Sequence, residues 1–257
     1  MINYLYDGTF SGLLSAIFDS YDRRDKAVSV YPEFLYSPDL FLDEYTVITD
    51  EQKALRVWKG LQHKLSDRWQ LNMYMASFTE NREEIQHLFD CIHYIFDSKQ
   101  NISYNYGNEH VISVAQTARK VHKERHRIVE FLRFQHTVDG MFFAKIDPLY
   151  NVLPLVRNHF KNRYADQQWI IYDTKRRYGV YYDLHEVKEV TFNFDESLID
   201  KKRNKLTENM VSQEEELYNN LWKDYYKSIN IAERKNSKLQ KQFLPQRFWK
   251  NLIEMNA

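Results

Sequence analysis

Six glycines in 257 residues, at positions 8, 12, 60, 107, 140 and 179, restrict this chain more than any other feature of its sequence. Backbone that wraps a phosphate must approach it closely and often needs positive φ, so phosphate loops carry glycines a few residues apart. Only Gly8 and Gly12 lie within five residues of each other, and their spacing matches neither a Walker loop nor a dinucleotide fingerprint. No G-x-S-x-G elbow occurs either. A conventional P-loop NTPase, a Rossmann dehydrogenase and a lipase-like hydrolase are therefore not expected. The single cysteine, Cys91, excludes a C-x-x-C zinc site, an iron–sulfur cluster and a redox pair, and suits a reducing compartment.

Hydrophobic residues make up 43% and charged residues 28%, enough for a sizeable core in one large domain or two small ones. The longest apolar runs, 141–144 and 169–172, are far too short to cross a membrane. The N-terminus lacks the basic start and apolar stretch of a secretory signal. The cytoplasm is the expected compartment, with no membrane partner. Aromatics are abundant, 19 Tyr, 16 Phe and 5 Trp, which suits an aromatic core or a surface on which bases stack. The net charge of zero hides an asymmetry. Residues 1–100 carry 10 Lys/Arg against 16 Asp/Glu, whereas 101–257 carry 26 against 20, so the second part is the one suited to an anionic partner.

The periodicities predict an α+β fold with a helical N-terminal part, a small, mainly antiparallel sheet in the middle and C-terminal helices. A strand over 2–6 precedes a helix carrying Leu13, Leu14, Ile17, Phe18 and Tyr21. Short β-rich runs follow at 27–31 and 45–48. Thr49-Asp50 reads as the N-cap of a helix burying Ala54, Leu55, Trp58, Leu61 and Leu65, and Asn81 as that of a helix burying Ile85, Leu88, Phe89, Ile92, Ile95 and Phe96. A helix through Val111–Val121 is expected to end near His126. Runs 127–135 and 141–146 flank Asp139-Gly140, suited to a tight hairpin turn, and 169–172 and 180–184 flank a basic turn, Lys175-Arg176-Arg177. Val190, Phe192 and Phe194 alternate as a half-buried strand, 195–211 reads as loop, and 214–228 and 245–255 as helices. The expected organisation is an N-terminal α/β segment, 1–80, packed on an α+β core, 81–257.

No cofactor is implied, and no metal. His122 and His126 flank Glu124, but a zincin needs its glutamate directly after the first histidine, where Lys123 stands. His87 and Cys91 have ligand spacing but read as lying off the apolar face. On the helix after Pro148, His159 and Arg163 fall inside the stripe of Val152, Val156 and Phe160, and Arg133 alternates with Phe131 and Val129 as on a strand. Inward arginines must be paired, with Glu124, Glu130 or Asp166 at hand, or else line a cationic pocket for phosphate. The C-terminal stretch 223–250 has eight Lys/Arg and two acidic residues among Tyr225, Tyr226, Phe243, Phe248 and Trp249, a composition suited to single-stranded nucleic acid or to amphipathic docking helices. Asp147-Pro148 lacks the glycines of a glycosylase water-activating loop.

Several strings together resemble a bacterial family of "probable DNA metabolism" proteins built on a domain of unknown function numbered 4130. They are Tyr6-Asp7-Gly8-Thr9-Phe10, Thr49-Asp50 with Lys53-Ala54 and Arg56-Val57, Glu124-Arg125-His126-Arg127 leading to Phe131-Leu132-Arg133-Phe134, His159-Phe160 with Arg163, Trp169-Ile170-Ile171, and Leu244-Pro245-Gln246-Arg247-Phe248-Trp249. The resemblance implies a DNA-repair or DNA-modification setting beside a radical-SAM protein, with some relatives fused to a uracil-DNA-glycosylase-like domain. It carries no catalytic residues. The expected function is a DNA-binding accessory protein for single-stranded or lesion-bearing DNA, with phosphate or base contacts from Arg127, Arg133, His159, Arg163, Trp169, Arg247 and Trp249. Two alternatives stand beside it: an enzyme on a damaged base or nucleotide, with His126 or His159 as acid–base, and a protein-interaction scaffold without DNA affinity.

Overall fold

The computed structural model describes residues 2–38, 42–98, 105–191, 199–200, 205–206, 211–229, 236–252 and 255. The chain forms two compact units, Met1–Lys123 and Glu124–Ala257. Helices and small sheets alternate in the α+β arrangement expected from the sequence.

The first unit is built on three short strands, β1 (Ile2–Tyr6), β2 (Val28–Pro32) and β3 (Asp43–Thr46), in the order β2-β1-β3 and all parallel. Helix α1 (Phe10–Arg23) makes the crossover from β1 to β2 and buries Leu13, Leu14 and Ile17. Thr9 caps it by accepting from the Gly12 N–H. Helix α2 (Glu51–Lys64) begins where the sequence places it, with Asp50 accepting from Gln52 and Lys53 N–H at 2.7 and 3.1 Å. Its buried row is Ala54, Val57 and Leu61, while Leu55 is half exposed. A helix that the periodicity does not predict, α3 (Asp67–Ala76), buries Trp69 and Met73. Helix α4 (Arg82–Asp97) has the Asn81 cap and the apolar row read from its period except for Phe96, which is half-buried, and Cys91 joins that row, fully buried rather than off it.

Helix α5 (Glu109–Phe131) departs from the expected end near His126. It runs five residues further, so Arg127, Val129 and Phe131 are helical and no strand face links Phe131 to Arg133. Val114, Ala118, Val121 and Ile128 stay buried along it, a period that continues past the basic run at 125–127. The division between the two units falls within this helix.

The second unit holds a five-stranded sheet ordered β4 (Gln135–His136), β5 (Phe142–Ile146), β6 (Trp169–Asp173), β7 (Tyr178–Tyr182) and β8 (Val187–Val190). Three of its four pairings are antiparallel; β5 and β6 are parallel, joined through α6 (Leu153–Arg163). The first hairpin has a three-residue loop instead of a two-residue turn. Gly140 sits at φ +77° and donates to Thr137 C=O, and Thr137 N–H donates to Met141 C=O at 2.8 Å. A type I turn followed by a left-handed residue closes such loops, which is the place for the glycine. One face of the sheet receives α6: Phe160 meets Trp169, and Phe134, Tyr164 and Tyr182 complete an aromatic cluster with ring centroids 5.3–6.3 Å apart. Part of the aromatic load is thus core, while Phe34, Tyr106, Tyr218 and Phe243 are among those exposed. On the other face Phe143 and Tyr172 pack with Ile170 and Val211.

The charged stretch after β8 contains paired residues, β9 (Ile199–Asp200) with β10 (Lys205–Leu206), where a loop is expected. Phe192 and Phe194 lie outside the described residues. Helix α7 (Gln213–Ile229) agrees with the sequence, but 245–255 is not a single α-helix: α8 (Ser237–Phe243) comes first, then a 3-10 segment, Gln246–Asn251, beginning after Pro245. Among the described residues, no helix is long and apolar enough to cross a membrane.

Candidate nucleic-acid interface

Helix α6 is the element on which the site residues depend, and its rotation differs from the one its sequence suggests. Val152 lies outside the helix, and Leu153 enters the core together with Val156 and Phe160. Since an α-helix turns about 100° per residue, replacing Val152 by Leu153 in the stripe rotates its centre by roughly 60° toward Tyr164. His159 and Arg163 leave the stripe and are exposed. Neither lines a core, and neither needs a buried counter-ion.

The solvent-facing arc of α6 now carries Arg157 and Lys161 along one flank and His159 and Arg163 along the other, with Asn158 and Asn162 between. No acidic residue occurs in the helix. Lys161 Nζ donates to His185 C=O at 2.7 Å, so its stem is held while its charge stays near the surface. Arg163 extends beside the Tyr164 ring at 6.0 Å. Among the described residues, Arg157, His159 and Arg163 have no hydrogen bond or ion pair. Lysine and arginine in the last turn also lie at the end where the helix dipole favours cations.

What fixes α6 is a polar framework at the strand ends that the sequence does not announce. The carboxylate of Glu124, 2% exposed, receives the two terminal nitrogens of Arg247, one at 2.8 Å and the other closer. The same carboxylate accepts the Leu149 N–H at 2.9 Å. From the other side Arg176 pairs with Asp173 at 2.7 Å and donates to the Pro148 and Leu149 carbonyls. Asp173 is fully buried, and burial pushes its carboxyl above the ordinary carboxylate range against the pull of Arg176. Its other oxygen accepts from the Lys175 and Arg176 N–H groups, shaping the β6–β7 turn. Two carboxylate–guanidinium pairs therefore close on the dipeptide Pro148–Leu149, just before α6 begins. Their signal in the sequence is an aspartate ending one strand three residues before an arginine in a hairpin turn; the partnership of residues 124 and 247 has none.

The remaining candidates fall elsewhere. Arg247, besides gripping Glu124, lies over the Phe248 ring at 4.3 Å. Trp249 is half-buried and donates from Nε1 to Leu244 C=O at 3.0 Å. Arg133 donates to the Glu130 and Leu132 carbonyls and so closes the C-terminal end of α5, which corrects the expected strand face. His126 is exposed on α5 and lies 3.0 Å from Glu130, and Arg127 is half-buried there. Trp169 is fully buried beneath α6, so its ring offers no face to a nucleotide. Its indole N–H has no hydrogen-bond partner among the described residues. The structure thus places His159 and Arg163 one turn apart on one flank of α6 and Arg157 on the other, while Arg133, Arg247 and Trp249 make hydrogen bonds within the fold, Trp169 is core, and His126 and Arg127 stand on α5. Tyr225 and Tyr226 lie in α7, outside what is described of side chains, and Phe243 is exposed at the end of α8. Among the described residues, no group of three or more His, Cys, Asp or Glu is placed to hold a metal ion.

Compared with known proteins, the chain matches the profile of one family, described as "Domain of unknown function (DUF4130)", over residues 82–254, about two thirds of its length. No curated protein and no solved structure matches it.

Proposed function

The chain belongs to the DUF4130 family, and from that premise we propose that it is a DNA-binding accessory protein in DNA repair or modification, acting with a radical-SAM partner. The observation that carries the reading is the basic arc of α6. Among the described residues its two arginines and its histidine make no hydrogen bond or ion pair, and they stand on a helix with no acid, set by a framework that commits two other arginines to holding it. Arg157, His159 and Arg163 would contact phosphate oxygens, the part of DNA that orients a protein without reading sequence. In this reading Trp169 supports α6 from the core and does not stack on a base. Lys238, Lys241 and Phe243 of α8 offer a basic and aromatic surface of the kind that follows single strands. Radical chemistry would lie on a partner, since a lone buried cysteine cannot hold a cluster.

Fluorescence anisotropy with single- and double-stranded oligonucleotides at two salt concentrations tests this. Binding should fall steeply with salt. Arg157→Ala and Arg163→Ala each take one cation away from the phosphate backbone, and each should flatten the log–log slope by about 0.7–0.9. No binding to any DNA at low salt would overturn the reading and favour a scaffold that meets only its protein partner.

A further inference from the structure

The first unit holds a separate set of groups that DNA binding through α6 does not use. A cleft of about 810 Å³ opens between the C-terminal end of α1, the loop leading into β2, one side of α4 and the start of α5. That volume is within the usual range for small-molecule sites, about 300–1,000 Å³. Arg24, Lys26 and Arg82, all exposed, line it. Arg24 and Lys26 have no side-chain hydrogen bond or ion pair among the described residues. Arg24 also stands where a helix ends in the left-handed region, at φ +62°, a position that usually takes glycine or asparagine. A long charged side chain stands there against a backbone preference.

Three acids, Asp25, Asp90 and Asp97, line the same cleft. Asp25 accepts from the Tyr4 hydroxyl at 2.7 Å and pairs with Arg23 at 3.0 Å, and Asp97 accepts from the Tyr21 hydroxyl at 2.9 Å. Asp90 accepts from Gln86 Nε2 at 3.0 Å. Among the described residues only Asp25 is paired with a cation; Asp90 and Asp97 accept from neutral donors and keep their charge. Three cations therefore stand against two uncompensated carboxylates, and Arg82 also lies over the Tyr31 ring at 4.3 Å. The same cleft is lined by an aromatic pile: Phe89 against His93 at 4.7 Å, and His93 stacked on Tyr21 at 4.6 Å with 27° between the planes. Ser20 Oγ donates to Ile17 C=O, which leaves it to accept from His93 Nε2 at 3.0 Å. Burial keeps His93 below the ordinary histidine value, in the neutral form that suits stacking. The outer ring of the pile, Tyr21, is 42% exposed.

We propose that this cleft binds a mononucleotide, its phosphate held by Arg24, Lys26 and Arg82 and its base extending the aromatic pile at Tyr21. Neither half of such a ligand suffices: the cations alone select any small anion, and the exposed ring alone any planar group. Glycine adopts the Arg24 backbone without strain, so Arg24→Gly removes the guanidinium while preserving the fold. Isothermal titration of the full chain with 5′-AMP, adenosine and inorganic phosphate, at low and high salt, is the test. The expected result is AMP binding at least about tenfold tighter than either fragment, weakened by salt, and weakened about tenfold in Arg24→Gly with Tm unchanged or raised. Tyr21→Leu should lower AMP affinity while leaving that of phosphate unchanged. No AMP binding at millimolar concentration, equal affinity for phosphate and AMP, or an Arg24→Gly protein that binds AMP like the parent would each overturn the proposal. DNA binding through α6 is measured separately with Arg157→Ala and Arg163→Ala, so one reading can fail without the other.

Discussion

The second unit uses arginine in two opposite ways. Arg176 and Arg247 are drawn into pairs with carboxylates that are almost or wholly buried, and these pairs hold the backbone of the loop before α6. Arg157 and Arg163, on α6 itself, extend into solvent without a hydrogen bond or ion pair among the described residues. The difference follows from what each group would cost if left alone. A carboxylate removed from water must be paired, and arginine, with its fork of donors, can satisfy two oxygens and a carbonyl at once. A guanidinium at the surface is already solvated and keeps its charge available. The paired arginines therefore specify a loop geometry, and the unpaired ones carry the charge that this geometry displays.

Breaking the larger pair should have the largest effect. Arg247→Ala leaves the Glu124 carboxylate buried without its counter-charge, and urea unfolding should show a loss of about 3–5 kcal/mol. Restoring the charge without the fork, as Arg247→Lys, should recover only part of that stability. A loss below about 1 kcal/mol in the alanine variant would mean that the two kinds of arginine do not differ in this way.

Arg176→Ala should be nearly as costly at neutral pH, but its penalty should depend on pH. Burial raises the Asp173 carboxyl above its ordinary value of 3.8. Stability from this group is therefore fully present below that value and is lost as pH rises through the raised one. Removing Arg176 takes away the cation that opposes the shift, so the deficit in unfolding free energy should be smaller near pH 4 than at pH 7. An equal deficit at both would locate the effect of Arg176 in its carbonyl contacts alone.

His93 in the first unit and His159 in the second offer a weaker contrast. Burial lowers His93 from its ordinary 6.5, so the unfolded chain takes up that proton first as pH falls. Its contribution is present above about pH 6.5 and is lost as pH drops through the lowered value. His93→Gln should flatten the Tm–pH curve below about pH 6.5, whereas His159→Gln, at an exposed position, should leave the stability at neutral pH close to that of the parent. The smallest effect belongs to Arg163→Ala, with unfolding free energy within about 0.5 kcal/mol of the parent. A larger loss would show that Arg163 holds the fold and would weaken the case for α6 as a binding surface.

Much of this organisation can be read along the chain wherever local chemistry decides it. The caps at Asp50 and Asn81, the row Ile85–Leu88–Ile92–Ile95 and the hairpin around 173–178 each depend on residues a few positions apart. The end of α5 is hard to read because its basic run hides an apolar period that Ile128 continues. The parallel pairing of β1 with both β2 and β3 is not legible, because strands of four or five residues carry no mark of their neighbours. His159 and Arg163 are legible as a pair but not as an exposed one. Their orientation rests on whether Val152 or Leu153 leads the buried stripe, and both are aliphatic.

Composition and short-range period thus account for the α+β class, the helix starts that polar caps specify, the aromatic supply for the cores and the basic character of α6. Which charges are paired and which are left is a matter of long-range packing. Glu124 and Arg247 are 123 residues apart, and no local preference brings them together. Their pairing arises because packing buries a carboxylate at one place and leaves a guanidinium within reach, and the arginines that packing does not claim are the ones displayed on α6.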